Sequence, residues 1–324
     1  MSGWRPAVRT PQGPASEAAV AQPGAPGGGG RHRRGSPQAR SLAQSDVAEA
    51  LAVCALDPVA SVLAATRFEL AARAGLPAAG GKAWGFPAEG PLVAVCWSGA
   101  NLVPVVPTDV SDADAADAAA AFATMARHQG RRSSSIVGER RAALAMWEQL
   151  EPYWPAAREV RADQPSLALD HDPTVAPEQD VRLSTLDDID LVLPACVRMF
   201  TEEVGYSPVA HSGSAYALRV RTLVAEGRSY VHLGGRDDGT PVVLFKAELG
   251  AVAGSVAQVQ GVWVDPEHRG RGLSVAGMAA VVAATRRHVA PVVSLYVNAY
   301  NAPALAAYRR VGFEQVGTFA TILF

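Results

Sequence analysis

The segment from Gly261 to Ser274, GVWVDPEHRGRGLS, gathers residue types suited to holding an anion. An apolar strand breaks at Asp265-Pro266, and an Arg/Gly-rich loop then opens directly into a helix with an apolar stripe. Glycines let such a backbone come close to a ligand, and the first amides of the following helix have no intrahelical partner. Those amides point outward at the positive end of the helix dipole, which is how helix N-termini bind phosphate. The residues expected around the anion are Arg269, Gly270, Arg271, Gly272, Leu273 and Ser274, and the pyrophosphate of a coenzyme suits them. The lysine and hydroxyl of a P-loop and the glycine spacing of a Rossmann turn are both lacking. The plainer alternative is a solvated basic turn, or an Arg/Gly patch for nucleic acid.

A second constellation follows at 295–313, LYVNAYNAPALAAYRRVGF. It reads as a strand, then Asn301, a helix carrying Tyr308, and Gly312-Phe313. Leu305, Tyr308 and Val311 have the spacing of a buried helical stripe, which makes a core tyrosine the bland reading of Tyr308. The chemical reading is a proton donor, since a phenol titrates near about 10. Asn301 stands where it can cap the helix that starts at Ala302.

The two motifs, in this order, resemble those of the GNAT superfamily of acyl-CoA N-acyltransferases. Arg269, Gly272 and Ser274 fall on that family's Q/R-x-x-G-x-G/A signature, with serine as the one departure, and 295–313 is similar to its next motif. The resemblance implies acetyl-CoA as cosubstrate, its pyrophosphate in the loop and its pantetheine arm along the backbone of Val262, Trp263 and Val264. It implies that Asn301 bonds the pantetheine or caps its helix, and that Tyr308 protonates the departing thiolate. A backbone N–H of the strand would hold the oxyanion. The general base has no standard occupant: Gln258 and Gln260 are neutral, and Tyr296 fills a slot where some relatives carry glutamate. The remaining carboxylates are Glu248 on the preceding strand, and Glu202 and Glu203 in MFTEEVGYSP, each more often solvated or ion-paired than basic. The reaction implied is direct attack by an amine in a ternary complex, without metal. A non-catalytic acetyl-CoA-binding regulatory module is the alternative.

These motifs need a scaffold, and 179–324 supplies one in outline. Its patterns read β-α-α-β-β-β-α-β-α-β, with a hairpin at Asp238-Gly239, which is similar to the complete GNAT fold in the α/β class, an α+β mixed sheet. Residues 41–165 repeat the plan faintly, but TDVSDADAAD replaces the Arg/Gly loop with acids that repel a pyrophosphate. The reading is two tandem GNAT-like domains, the first degenerate, joined by a linker at 166–178 where prolines and acids break the periodicity. A tandem of this kind resembles some actinobacterial members of the family. The Pro/Gly/Ala-rich stretch 1–40, with Arg31, His32, Arg33 and Arg34, reads as a disordered tail.

Composition sets outer bounds. The chain has 324 residues, 49% of them hydrophobic, and a net charge of −2, which gives no global attraction to nucleic acid or an anionic membrane. Lysine occurs only at Lys82 and Lys246 among 29 basic residues. Cys54, Cys96 and Cys196 are odd in number and far apart, with no zinc or redox spacing. No signal peptide or membrane-length apolar run is read, so the expectation is a cytoplasmic protein, with a small-molecule or protein amine as acceptor and a monomer favoured because linked copies can satisfy each other.

Overall fold

Strands arise here where apolar runs are bounded by glycine and proline, and helices where apolar stripes lie between caps. The computed structural model describes residues 37–210, 213–236 and 239–324. The first half runs β1 (Arg40–Ser41), α1 (Val47–Ala55), α2 (Pro58–Ala74), β2 (Lys82–Phe86), β3 (Ala94–Ser98), β4 (Asn101–Val105), α3 (Asp112–Gln129), β5 (Ser135–Glu139), α4 (Arg140–Leu150) and β6 (Glu159–Leu169). The second runs β7 (Arg182–Leu183), α5 (Ile189–Val204), α6 (Gly213–Ala225), β8 (Ser229–Gly235), β9 (Pro241–Ala253), β10 (Val256–Val264), α7 (Leu273–His288), β11 (Val292–Tyr296), α8 (Ala302–Val311) and β12 (Glu314–Leu323). Both halves therefore follow the order β-α-α-β-β-β-α-β-α-β. The expected tail 1–40, including Arg31–Arg34, lies outside the described residues as far as position 36, and Arg40 already belongs to β1. Asp238 of the hairpin also lies outside them, while Gly239 has the positive φ of 81° that a tight turn uses.

The strands form one sheet in the order β1-β2-β3-β4-β5-β12-β6-β11-β10-β9-β8-β7. Only β4 with β5 and β10 with β11 run parallel among the described pairs. Read inward from its two edges the sheet is the same sequence of strands twice, with the last strand of each half exchanged: β12 pairs with β5, and β6 with β11. The two exchanged strands meet antiparallel at the centre. Leu167 and Leu169 of β6 are buried with Leu295, Met278 and Tyr308 of the second half, and Ala320 and Ile322 of β12 with Phe122 and Trp147 of the first. A buried leucine contributes about 1.5–3 kcal/mol, so neither half completes its core without the other's strand.

The expected linker at 166–178 is corrected by this arrangement. Residues 166–169 are strand, paired through Ser166↔Tyr296 and Leu169↔Val293. Pro165 looks like a breaker, yet it is tolerated inside β6 because it faces Thr318 beside a register shift in β12. The connection proper begins at Asp170 and is tied to the second half, where Arg286 bonds the Asp170 carbonyl at 2.7 Å and pairs with Asp172.

Candidate active site

The anion cradle forms where β10 ends. The buried Asp265 side chain accepts from the Glu267 amide at 3.0 Å and meets His268 Nδ1 at 3.1 Å, pinning the turn. Gly270 and Gly272 have φ of 77° and 82°, a region that residues with a Cβ rarely adopt. Gly272 caps α7 with no side chain over its first amides. Arg271 is exposed and has no ion pair among the described residues. Arg269 behaves differently: it bonds the Val264 carbonyl at 3.1 Å and Glu202 at 2.7 Å, and so fastens the loop to the end of α5.

β10 leads to this cradle along an open edge. It pairs with β11 only through Val256–Gln258, and beyond Gln258 no strand among the described residues covers that edge. On its other edge the ladder with β9 slips between Gln260↔Glu248 and Trp263↔Lys246, leaving Gly261 and Val262 unpaired in a bulge. Gly261 takes φ of 61° there. Val262 and Val264 pack toward Met278 and the α7 core, whereas Trp263 turns to the opposite face and is buried with Ile189, Val192 and Cys196. The indole is thus a core residue, and only its backbone belongs to the open edge.

Tyr308 stands on α8, whose start Asn301 caps by accepting from the Ala304 amide at 3.2 Å. Its ring is buried, edge-on to Phe313 at 6.0 Å. Two other phenols find partners: Tyr230 meets Thr285 at 3.4 Å, and the half-buried Tyr216 donates to the Cys196 carbonyl at 3.0 Å. The Tyr308 hydroxyl, like that of Tyr296, has none among the described residues. Burial, and then the carboxylate of Glu203, push it well above the ordinary phenol range. Tyr296, stacked on Phe319 at 4.9 Å, is pushed up to about 12, again by burial and then by Glu203.

Glu203 therefore lies in the electrostatic field of both phenols. It sits at the end of α5, largely exposed, 3.5 Å from Arg161, which also pairs with Glu159 at 2.9 Å. Arg219 of α6 adds positive charge that Tyr296, Glu248 and Arg67 of the first half all feel. Glu248 is placed quite differently. It is buried behind the bulge, 2.8 Å from Lys246. Burial alone would raise its pKa, but the Lys246 ammonium outweighs this and holds the carboxyl below its usual range. A buried carboxylate so paired has little capacity to take a proton from an acceptor. The structure thus leaves Glu203 exposed beside Arg161, linked to Tyr308 only through its field, and sets Glu248 apart in a buried ion pair. In the sequence Lys246 and Cys196 stand out only as a rare lysine and an isolated thiol, and Arg161 not at all; Lys246 and Glu248 on one face of an otherwise apolar strand were the signal available.

Two clefts of about 510 and 520 Å³ line other surfaces, one between Glu139 and Glu148, one beside Asp172 and Arg287, and neither shares a residue with the loop.

Comparison with known proteins bears on the family and the fold. Residues 198–313 match the acetyltransferase (GNAT) family, and residues 81–192 match a domain of unknown function, DUF4081. No curated protein matches the chain. Among solved structures, a GNAT-family acetyltransferase from Colwellia psychrerythraea is 12% identical with a TM-score of 0.52, covering 89% of this chain and 99% of its own. A tandem GNAT protein from the clavulanic acid biosynthesis pathway is 17% identical, TM-score 0.52, with 88% and 98% covered. A GCN5-related N-acetyltransferase from Sphaerobacter thermophilus is 17% identical, TM-score 0.54, with 88% and 95% covered. At these identities the likeness concerns the fold. Residues 198–313 are therefore an acetyltransferase domain of the GNAT family, in a chain that has the tandem GNAT fold.

Proposed function

We propose that the chain is an N-acetyltransferase that moves an acetyl group from acetyl-CoA to an amine, using only its second half, 179–324. The observations that carry this are a cradle of helix amides with no side-chain cap, a β10 edge that leads from it and pairs with β11 only through Val256–Gln258, and a phenol on α8 with no hydrogen-bond partner among the described residues. The residues present fit the coenzyme. Gly270, Arg271, Gly272, Leu273 and Ser274 would hold its pyrophosphate, and the backbone of Val262, Trp263 and Val264 would pair with its pantetheine arm. Bound acetyl-CoA supplies an acyl thioester activated toward an amine. Glu203, directly or through water, accepts the proton the ammonium loses, so that an N–C bond forms as the C–S bond breaks. Tyr308 donates its proton to the departing sulfur and regains one from solvent. Asn301 holds α8 in place by its cap. No step requires a metal ion.

The first half, 41–165, serves as scaffold in this reading. We place the protein in the cytoplasm as a monomer, since no helix among the described residues is long and apolar enough to cross a membrane and the two halves already pair their sheets edge to edge.

The test is calorimetric titration of acetyl-CoA into the full chain and into Arg271→Glu, followed by an amine screen read as release of free coenzyme A. One site, weakened in the variant, with acceptor-dependent release supports the reading. Binding without release for any amine favours the regulatory alternative, and absence of binding overturns both.

A further inference from the structure

Behind the bulge of β10 lies a polar cluster that the proposed chemistry leaves unused. Lys246 and Glu248 project from one face of β9 toward α5, 2.8 Å apart, the lysine side chain fully buried and the glutamate 8% exposed. Lys246 Nζ also donates to the Gly261 carbonyl at 2.9 Å and lies 3.6 Å from Met199 Sδ. Cys196 Sγ donates to Glu248 at 3.2 Å. The ammonium thus spends its three donors on three acceptors set in different directions, which the planar fork of arginine could not do. That explains a lysine in a chain with only two of them.

Stability does not account for the pair. Taking two ions out of water is costly, and well-packed apolar residues in their place are often as stable or more so. The first half makes that apolar choice: β3, AVCWS, is buried throughout and carries no ionised group. Nor does β4 bulge against it; the register runs unbroken from Ser98↔Leu102 to Val95↔Val105. Ion pair and bulge occur together, in the half with the cradle. They are also in contact, since a Cβ added at Gly261 would stand 3.2 Å from both Lys246 Nζ and Glu248 Oε2.

We propose that Lys246, held by Glu248, is a positioning residue for acyl transfer. Its grip on the Gly261 carbonyl locks the bulge, and the locked bulge keeps the Val262 amide out of the ladder with β9, free to donate to the acyl carbonyl oxygen as negative charge develops there. This rests on the reading given under Proposed function and adds to it the device that holds the amide in place.

The test replaces both charges at once, Lys246→Met with Glu248→Leu, so that no ion is left unpaired. Hydroxylamine, small and uncharged at neutral pH, serves as nucleophile because it needs neither an acceptor pocket nor a general base. The double variant is expected to melt no lower than the natural chain and to bind coenzyme A within about threefold of it. Its kcat for hydroxylamine-dependent release of coenzyme A should fall roughly 100-fold with KM for acetyl-CoA little changed. Exchange of the Val262 amide in the unliganded protein should slow, as the released bulge lets it enter the ladder with β9. An unchanged kcat, or unchanged exchange, in the folded variant overturns the role of Lys246. Coenzyme binding by the natural chain without any hydroxylamine reaction also overturns it, and leaves the binding surface standing. Failure of the natural chain to bind coenzyme A removes the functional reading and this inference together.

Discussion

The two halves share an element order and differ where chemistry would occur. At the start of α7 the cap is Gly272, bare and left-handed; at the start of α3 it is Ser111, whose hydroxyl accepts from the Asp114 amide at 3.1 Å, with Asp112 and Asp114 in the first turn. The first half has satisfied with its own side chains the amides that the second leaves for a ligand. β10 bulges, whereas β4 is straight; β4 pairs β5 only through Asn101 and Leu102, yet beyond them the two strands stay so close that a Cβ on Gly138 would lie 3.1 Å from the Pro104 carbonyl. Counted from their caps Glu139 and Asn301, Met146 stands on α4 where Tyr308 stands on α8. A fold with the right topology can thus lose an anion site, an open edge and a phenol one by one and remain intact, because none of the three carries the packing.

The sharpest way to test that contrast is to make the second half like the first. Tyr308→Phe is expected to lower turnover about 100-fold or more while acetyl-CoA binds within about twofold, as calorimetry beside a thiol-release assay would show. Because burial raises the phenol, it stays protonated as pH rises through 10, so turnover should show no alkaline limb from this residue below that pH. Undiminished turnover would assign Tyr308 to the core. Leu167→Ala, in the exchanged strand β6, should cost about 2–5 kcal/mol and shift one cooperative unfolding transition shared by both halves. Two separate transitions, one of them unmoved, would break the claim that the halves are interlocked.

Gly272→Asp imports the acidic helix start of α3 and adds a Cβ at positive φ. Acetyl-CoA affinity should drop roughly 100-fold, about 2.7 kcal/mol, with a melting temperature only slightly lower. The reciprocal change, Ser111→Ala, removes a cap worth about 1 kcal/mol and should leave acetyl-CoA binding untouched. A change in binding there would mean that the first half holds coenzyme after all. Smallest of all is the expected reactivity of the thiols. Burial pushes Cys54 and Cys196 up to about 12, and Cys96 higher still, so alkylation of the folded protein near neutral pH should be negligible, and all three should react on unfolding.

Much of this was legible in the sequence for identifiable reasons. The loop at 269–274 and the helix with Tyr308 are local motifs, in which neighbours in the chain are neighbours in space. The elements followed from periodicity in the same way. What sequence could not show depends on partners far along the chain. β12 and the start of β6 read as strands while 166–169 reads as linker, and nothing in EVRADQPSLAL says that it pairs with β11 of the other half; that is settled by which cores Leu167 and Ile322 fill. Pro165 misled because a proline was weighed without knowing that a register shift faced it. Glu248 could be named from its position but not judged, since Lys246, Cys196 and the Gly261 carbonyl converge on that spot only in three dimensions.

The exchanged strands also bear on how such a molecule can change over generations. A duplicated domain that has lost its chemistry is ordinarily free to be deleted. Here a deletion ending after β6 would strip β11 of its neighbour at the centre of the sheet and leave β12 with no β5 beside it. The first half can therefore drift in residues that carry no packing, yet its removal would take β6 from the second, and the chain is bound to keep both halves.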